Sequence, residues 1–191
     1  MRVVIAEDEA IIRLDLKETL EEEGYEVVGE TGRGDEAVAM VKDTSPDLAI
    51  LDIKMPGMDG LTAAREIAGD KAAAVLILTA FSQRDLIEQA RDAGALAYLV
   101  KPFQKSELLP AIEVALGRFQ EMRALEDEVK GLEAQLEARK IVDRAKGRLM
   151  DDHGMKEAEA FRFIQTEAMS RRAKMVEVAQ NVLDGALKPG A

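Results

Sequence analysis

From Arg2 to about Val100, short apolar and β-branched runs alternate with longer segments in which apolar residues recur every three or four positions. Arg2–Ala6, Tyr25–Gly29, Asp47–Leu51, Ala74–Thr79 and Ala97–Val100 predict five strands, each short and bounded by polar residues or glycine. Between them, Ala10–Glu23, Gly34–Asp43, Leu61–Ala68 and Gln83–Ala93 predict helices. Ser82 with Asp85 suggests a capping box, and Gly24 and Gly94 stand where helices are expected to end. Strict alternation of strand and helix predicts a doubly wound α/β fold, a five-stranded parallel sheet covered on both faces.

After Ser106 no further β-branched run appears, and helical spacing continues almost unbroken to Leu187. Pro110 is expected in the first turn of the helix beginning there, where its missing N–H does little harm. Ile112, Leu116, Phe119 and Met122, then Leu125, Val129, Leu132 and Leu136, form a stripe with one irregular step between the two sets. Glu126, Glu128, Lys130, Glu133, Glu137 and Arg139 flank the stripe. It suits either a coiled-coil seam between two chains or a helix packed on its own chain. Three short helices are then expected near Ala138–Asp151, Glu157–Ser170 and Lys174–Leu187, with Gly154 as a helix stop. The long helix is therefore expected to lead into a small all-α domain of three helices.

The chain has 191 residues, 47% of them hydrophobic, which suffices for one full domain and a smaller one. No run approaches the roughly 20 apolar residues that cross a bilayer, and the start lacks the pattern of a secretory leader. A soluble, cytoplasmic protein is expected, with no membrane partner. The absence of Cys removes disulfides, thiolate metal sites and cysteine nucleophiles. The net charge of −11 argues against whole-surface attraction to nucleic acid, but it is unevenly spread. Through Arg118 there are 13 basic against 23 acidic residues; beyond it, 13 against 14. The two parts are expected to meet different partners.

In an open parallel sheet the functional crevice lies beyond the carboxyl ends of the strands. Strand one runs into Glu7, Asp8 and Glu9, strand three ends at Asp52, strand four at Thr79, and strand five is followed by Lys101 and Pro102. Clustered carboxylates repel one another, so together they imply a hard cation; oxygen ligands fit Mg2+, with Asp8 and Asp52 as its carboxylates. With that charge offset, one carboxylate can attack a phosphoryl group while a lysine and a hydroxyl hold its oxygens, roles suited to Lys101 and Thr79. Acids at strand ends are often no more than solvated loop residues; four strand ends supplying complementary groups at once point to a site. The Gly29, Gly32 and Gly34 string follows strand two with the wrong spacing for a nucleotide loop. Gly57 and Gly60 suit a turn in which positive φ is cheap only for glycine.

These residues resemble the receiver domain of two-component response regulators. The matching pieces are Ile5–Glu9, Leu51–Gly60, Leu78–Ala80 and Val100–Phe103. The resemblance implies a flavodoxin-like sheet over residues 1–118, with Asp52 as phospho-acceptor. It implies Mg2+ held by Asp8, Asp52 and the Lys54 backbone carbonyl, with Glu7 acting on the ion through a water. Thr79 resembles the family's switch hydroxyl, Lys101 its phosphate-binding lysine and Tyr98 its aromatic switch position. Tyr98 equally suits ordinary strand packing. The Lys101–Pro102 bond is often cis in such domains, an isomer that sequence alone does not show. A sensor histidine kinase is the implied phosphodonor, and the chain accepts the phosphoryl group rather than acting as an enzyme on another molecule.

The tail resembles the ANTAR domain, a transcription antitermination module that binds RNA. Ile141, Arg144–Gly147, Leu149, Met150, Gly154, Met155, Glu159–Phe161, Ala168, Met169, Val178 and Ala179 carry that likeness. Residues 139–191 are assigned to this module and 119–138 to a helical linker. The alanines and Phe161 read as close helix packing. Lys156 stands where a capping Ser, Thr or Asp is usual, and Arg172 where Asn is common. Lys140, Arg144, Gly147 and Arg148 share one helical face, Lys146 lies off it, and Arg171, Arg172 and Lys174 cluster before the last helix. These cations are the expected RNA contacts, with hairpins in a nascent transcript as ligand. With few aromatics in the tail, backbone contacts and arginine are expected to dominate. A lone His153 makes no metal site. Phosphorylation is expected to expose the leucine stripe and pair two chains as a homodimer. An aspartyl phosphatase would place its acids as Asp-x-Asp after strand one, which Glu7–Glu9 does not do; a DNA-binding regulator fits the tail less well, and a flavin site lacks its phosphate and aromatic loops.

Overall fold

The computed structural model describes residues 1–80 and 84–189. Ser82 and Gln83, and with them the expected capping box and helix start, lie outside the described residues. The elements are β1 (Arg2–Ala6), α1 (Ala10–Glu22), β2 (Glu26–Thr31), α2 (Gly34–Thr44), β3 (Leu48–Asp52), α3 (Gly60–Gly69), β4 (Ala74–Thr79), α4 (Arg84–Asp92), β5 (Ala97–Val100), α5 (Lys105–His153), α6 (Glu157–Arg171) and α7 (Met175–Leu183). They fall into two compact units, Met1–Arg123 and Ala124–Ala191. No helix among the described residues is long and apolar enough to cross a membrane.

In the first unit the strands lie in the order β2-β1-β3-β4-β5, all parallel. Alternation along each strand feeds two cores. Val3, Ile5, Leu48, Ile50, Leu76 and Leu78 meet Leu16 and Leu20 of α1 and Leu108, Ile112 and Leu116 of α5. Val4, Ala6, Leu51, Val75 and Ile77 meet Val38 and Val41 of α2, Ala64 and Ile67 of α3 and Ala90 of α4. A sheet covered twice needs strands apolar on both sides, which is why β3 and β4 read as unbroken hydrophobic runs. β2 extends past Gly29 to Thr31, through residues that read as loop. A register shift between Val3 and Val4 brings Val4 opposite Gly29, and a Cβ there would press on the Met40 sulfur at 3.1 Å.

The helix from Lys105 runs 49 residues to His153, so the segment expected as a separate helix at Ala138–Asp151 is its final stretch. Pro110 is its sixth residue, in the second turn rather than the first, where a proline removes a bond to the Ser106 carbonyl. Gly154, with φ +64°, stops it and donates to the Met150 carbonyl at 3.0 Å. In the second unit Ala145 and Leu149 of α5, Ala160, Ile164 and Ala168 of α6, and Val178, Ala179 and Val182 of α7 form one core. α7 ends four residues before the expected Leu187, because Gly185 turns the chain at φ +75° and Leu187 folds back into that core. Lys156 starts α6 without a side-chain cap, and Glu159 instead accepts from the Lys156 N–H at 2.9 Å.

Gly131 sits inside α5 with nothing near the position a Cβ would take. Since glycine in a helix interior costs about 0.5–1 kcal/mol against alanine, Gly131→Ala should stabilise the protein by that amount in urea unfolding. No gain, or a loss, would mean that the helix is not continuous there.

Candidate functional site

Four strand ends converge as the alternation requires. Glu7 and Asp8 follow β1, Asp52 closes β3, Thr79 closes β4 and Lys101 follows β5. Lys101 Nζ lies 2.7 Å from Glu7 Oε2 and 3.1 Å from Asp52 Oδ1. Glu7 is 0% and Asp52 5% exposed, whereas Asp8 is open to solvent. Asp8, Asp52, Lys54, Thr79 and Lys101 line a cavity of about 260 Å3. The Lys101 N–H donates to the Thr79 carbonyl at 2.7 Å, and the Lys101–Pro102 peptide is cis.

The Lys101 ammonium is held between two carboxylates, and burial makes that imbalance count. Burial pushes the Glu7 carboxyl above the usual range, with the Asp52 charge adding to the rise and Lys101 opposing it. Burial likewise raises Asp52, against the pull of Lys101 and with a further push from Asp8. Burial would lower Lys101, but Glu7 and Asp52 outweigh it and hold the ammonium above its ordinary value. An oxygen of each of Glu7, Asp8 and Asp52 can lie within 4.8 Å of the other two, a donor set that fits a hard divalent cation. Tyr98 is not part of this constellation. It is exposed and lines a different cavity, of about 450 Å3, with Ile87, Pro110 and Val114.

The cations of the second unit divide by what already holds them. Lys146 is mostly buried between Asp143 at 2.8 Å and Glu157 at 2.9 Å, tying α5 to α6. Arg148 pairs with Asp152 and also donates to the Leu183 carbonyl at the end of α7. Lys140 pairs with Glu137, and Arg171 with Glu167, on exposed surface where such pairs are weak. Arg144, Arg172 and Lys174 are exposed, Arg172 ending α6 at φ +52° and Lys174 starting α7.

The family model of the response regulator receiver domain matches residues 3–113, and that of the ANTAR domain residues 130–183. The transcriptional regulatory protein PdtaR of Mycobacterium tuberculosis is 60% identical over 183 residues, covering 96% of this chain and 89% of its own length. The chain belongs to the response regulators. Its receiver is also similar to the chemotaxis protein CheY of Bacillus subtilis, 41% identical over 117 residues, 61% of this chain and 98% of that protein. Among solved structures, a CheX–CheY–BeF3–Mg2+ complex from Borrelia burgdorferi contains a chain 29% identical at a TM-score of 0.56, matching 59% of this chain and 86% of that one.

Two features of the response regulator's site escaped the sequence reading. Gly60 has no positive φ; it is required because a Cβ would collide with the Asp52 carbonyl oxygen. Only Gly57, at φ +80°, answers the conformational argument. Gly34 likewise admits the Met58 carbonyl, so two glycines let the loop after β3 close over Asp52. The other feature is Arg13 on α1, whose guanidinium donates to the Glu7 carbonyl and steadies the turn out of β1. Neither contact leaves a signal in local sequence, since each depends on how a turn folds back on the strand before it.

The raised Asp52 carboxyl carries a stability consequence. A carboxyl raised by folding favours the fold in acid, below its unfolded value of about 4, and loses that contribution as pH rises through its folded value. Asp52→Asn should therefore melt above wild type at pH 7 in chelator, with the gap shrinking towards pH 4. A lower melting temperature for the variant at pH 7 would contradict the charge imbalance described.

Proposed function

We propose that this response regulator is phosphorylated on Asp52 and uses its ANTAR unit to bind RNA hairpins in a nascent transcript. The observation that carries the first half is the placement of Asp52 within 3.1 Å of the Lys101 ammonium, in a cavity shared with Asp8 and Thr79. An Asp52 carboxylate oxygen attacks the phosphorus of the donor, a phosphohistidine on a sensor kinase. A P–O bond forms, the P–N bond breaks, and the electron pair leaves with the imidazole, which takes up a proton.

Mg2+ held by Asp8, Asp52 and the Lys54 carbonyl, with Glu7 acting through a water, would supply positive charge against the phosphoryl oxygens. Lys101, on a short tether between Glu7 and Asp52, is placed to turn one of its N–H groups to the transferred group. The Thr79 hydroxyl, at the end of the neighbouring strand, is the second donor. Because the acceptor is the chain's own side chain, the protein is a phosphoryl carrier and not an enzyme turning over a separate substrate.

Support for the RNA half is the ANTAR match together with exposed Lys140, Arg144, Arg171, Arg172 and Lys174. Lys146 and Arg148 serve mainly to brace the helices, so truncating them lowers stability as well as binding. Pairing of two chains would use Leu125, Val129, Leu132 and Leu136, which are 53–63% exposed here. Glu121, Glu126, Glu128 and Glu133 border the stripe on both sides, and parallel in-register pairing sets carboxylates against carboxylates. A homodimer so built is weak until something tips the balance, as a switch requires.

With Mg2+ and a small phosphodonor, wild-type protein should take up one acid-labile phosphoryl group and Asp52→Asn none. Asp8→Ala should lose both Mg2+ affinity and uptake. Uptake by Asp52→Asn at the wild-type rate, read by intact-protein mass, would overturn the assignment.

A further inference from the structure

The ANTAR unit contains two aromatic residues, Phe161 and Phe163, both on α6. Phe163 packs against the unit's core beside Ile164 and Ala168. Phe161 does not: it stays 43% exposed and lines a cavity of about 410 Å3 between the end of α5, α6 and the start of α7. Its neighbours there are Val142, Met175 and Val176, with Arg139 and Lys146 as the cationic members of the wall. Asp143 is the only carboxylate among the lining residues, and Lys146 holds it at 2.8 Å, so the wall is not left negative. Burying the rest of the ring is favourable, and the apolar surroundings are already present. A half-open ring in an apolar slot with an arginine at hand is what an unstacked base requires, whereas a purely electrostatic surface needs neither ring nor slot.

We propose that this cavity receives one splayed-out nucleobase of a single-stranded RNA loop, stacked on Phe161, with Arg139 on the adjoining phosphate. The assignment rests on the RNA reading of the ANTAR unit and sharpens it. Recognition there is then by base stacking as well as by backbone charge, and Phe161 is a contact residue rather than the helix packing its sequence position suggested. Arg139 joins the binding surface, while Lys146, held by two carboxylates, positions the wall. Stacking is indifferent to which base is offered, so the site selects an unpaired nucleotide over a duplex before it selects a sequence.

The test uses the full phosphorylated chain and two pools of hairpin RNA, one with a short randomised loop and one with the same loop made abasic. Wild type should bind the intact pool about 10- to 100-fold more tightly than the abasic pool, the range expected for one stacked base. Phe161→Ala should lose that preference and bind both pools alike, with an unchanged slope of affinity against salt because the phosphate contacts remain. Phe161→Trp, which keeps a ring, should retain the preference; Arg139→Gln should weaken both pools equally and flatten the salt slope. Each variant is checked by its melting curve. A folded Phe161→Ala protein that still prefers the intact pool overturns the stacking site and leaves the RNA reading standing. So does a Phe161→Ala loss that is equal for intact and abasic loops, which would assign the slot to another contact such as a protein side chain. A wild-type protein that binds neither pool overturns the RNA reading and the cavity assignment with it.

Discussion

Lys101 stands between two buried carboxylates, 2.7 Å from Glu7 and 3.1 Å from Asp52, and the rest of the receiver is arranged to hold it there. Charges taken out of water are tolerable only when paired and closely held, and here one cation serves more anions than it can neutralise. The strain is chemical, not mechanical. It leaves the cluster short of positive charge, which is the condition for taking a divalent ion. The three groups belong to three different strand ends, so the sheet order β2-β1-β3-β4-β5 is the device that brings them together. The two cores, one on each face, keep those ends in register.

Close backbone approach completes the arrangement. Gly60 and Gly34 admit carbonyl oxygens where any side chain would collide, so the loop between β3 and α3 lies against the strand end that bears Asp52. Asp59 then caps α3 by accepting from the Thr62 N–H at 3.0 Å. The second unit is built on a different principle, three helices meeting through alanines at Ala145, Ala160, Ala168 and Ala179. Small residues draw the helices together around Leu149, Ile164, Val178 and Val182, while Phe161 stays exposed on a helix whose other face is buried. α5 contributes to both units, packing Ile112 and Leu116 in one and Ala145 and Leu149 in the other.

Strands were the most legible part of the sequence because β1, β3 and β4 are buried on both faces and carry unbroken apolar runs. β2 was cut short, since Gly29, Glu30 and Thr31 look like a loop and become a strand only through pairing with Val4, Ile5 and Ala6. The acids, Thr79 and Lys101 could be placed together because topology alone puts strand ends on one edge. What sequence could not show was which atoms a turn brings into contact. Gly60 meets Asp52 and Arg13 meets Glu7 without leaving a pattern in either segment. In the tail, charge spacing identified cations but not their partners, so Lys146 and Arg148 looked as available as Arg144. Phe161, read as packing because aromatics usually fill gaps between helices, lies outside the core and 43% exposed.

Whether charge placed on Asp52 changes how the ANTAR unit engages RNA is read from hairpin affinity at fixed salt with and without phosphorylation, alongside mass by light scattering. Tighter binding of tandem hairpins by the phosphorylated chain, together with a doubling of mass, is expected, and both are expected to be lost in Leu132→Asp. Equal affinities in the two states would contradict this.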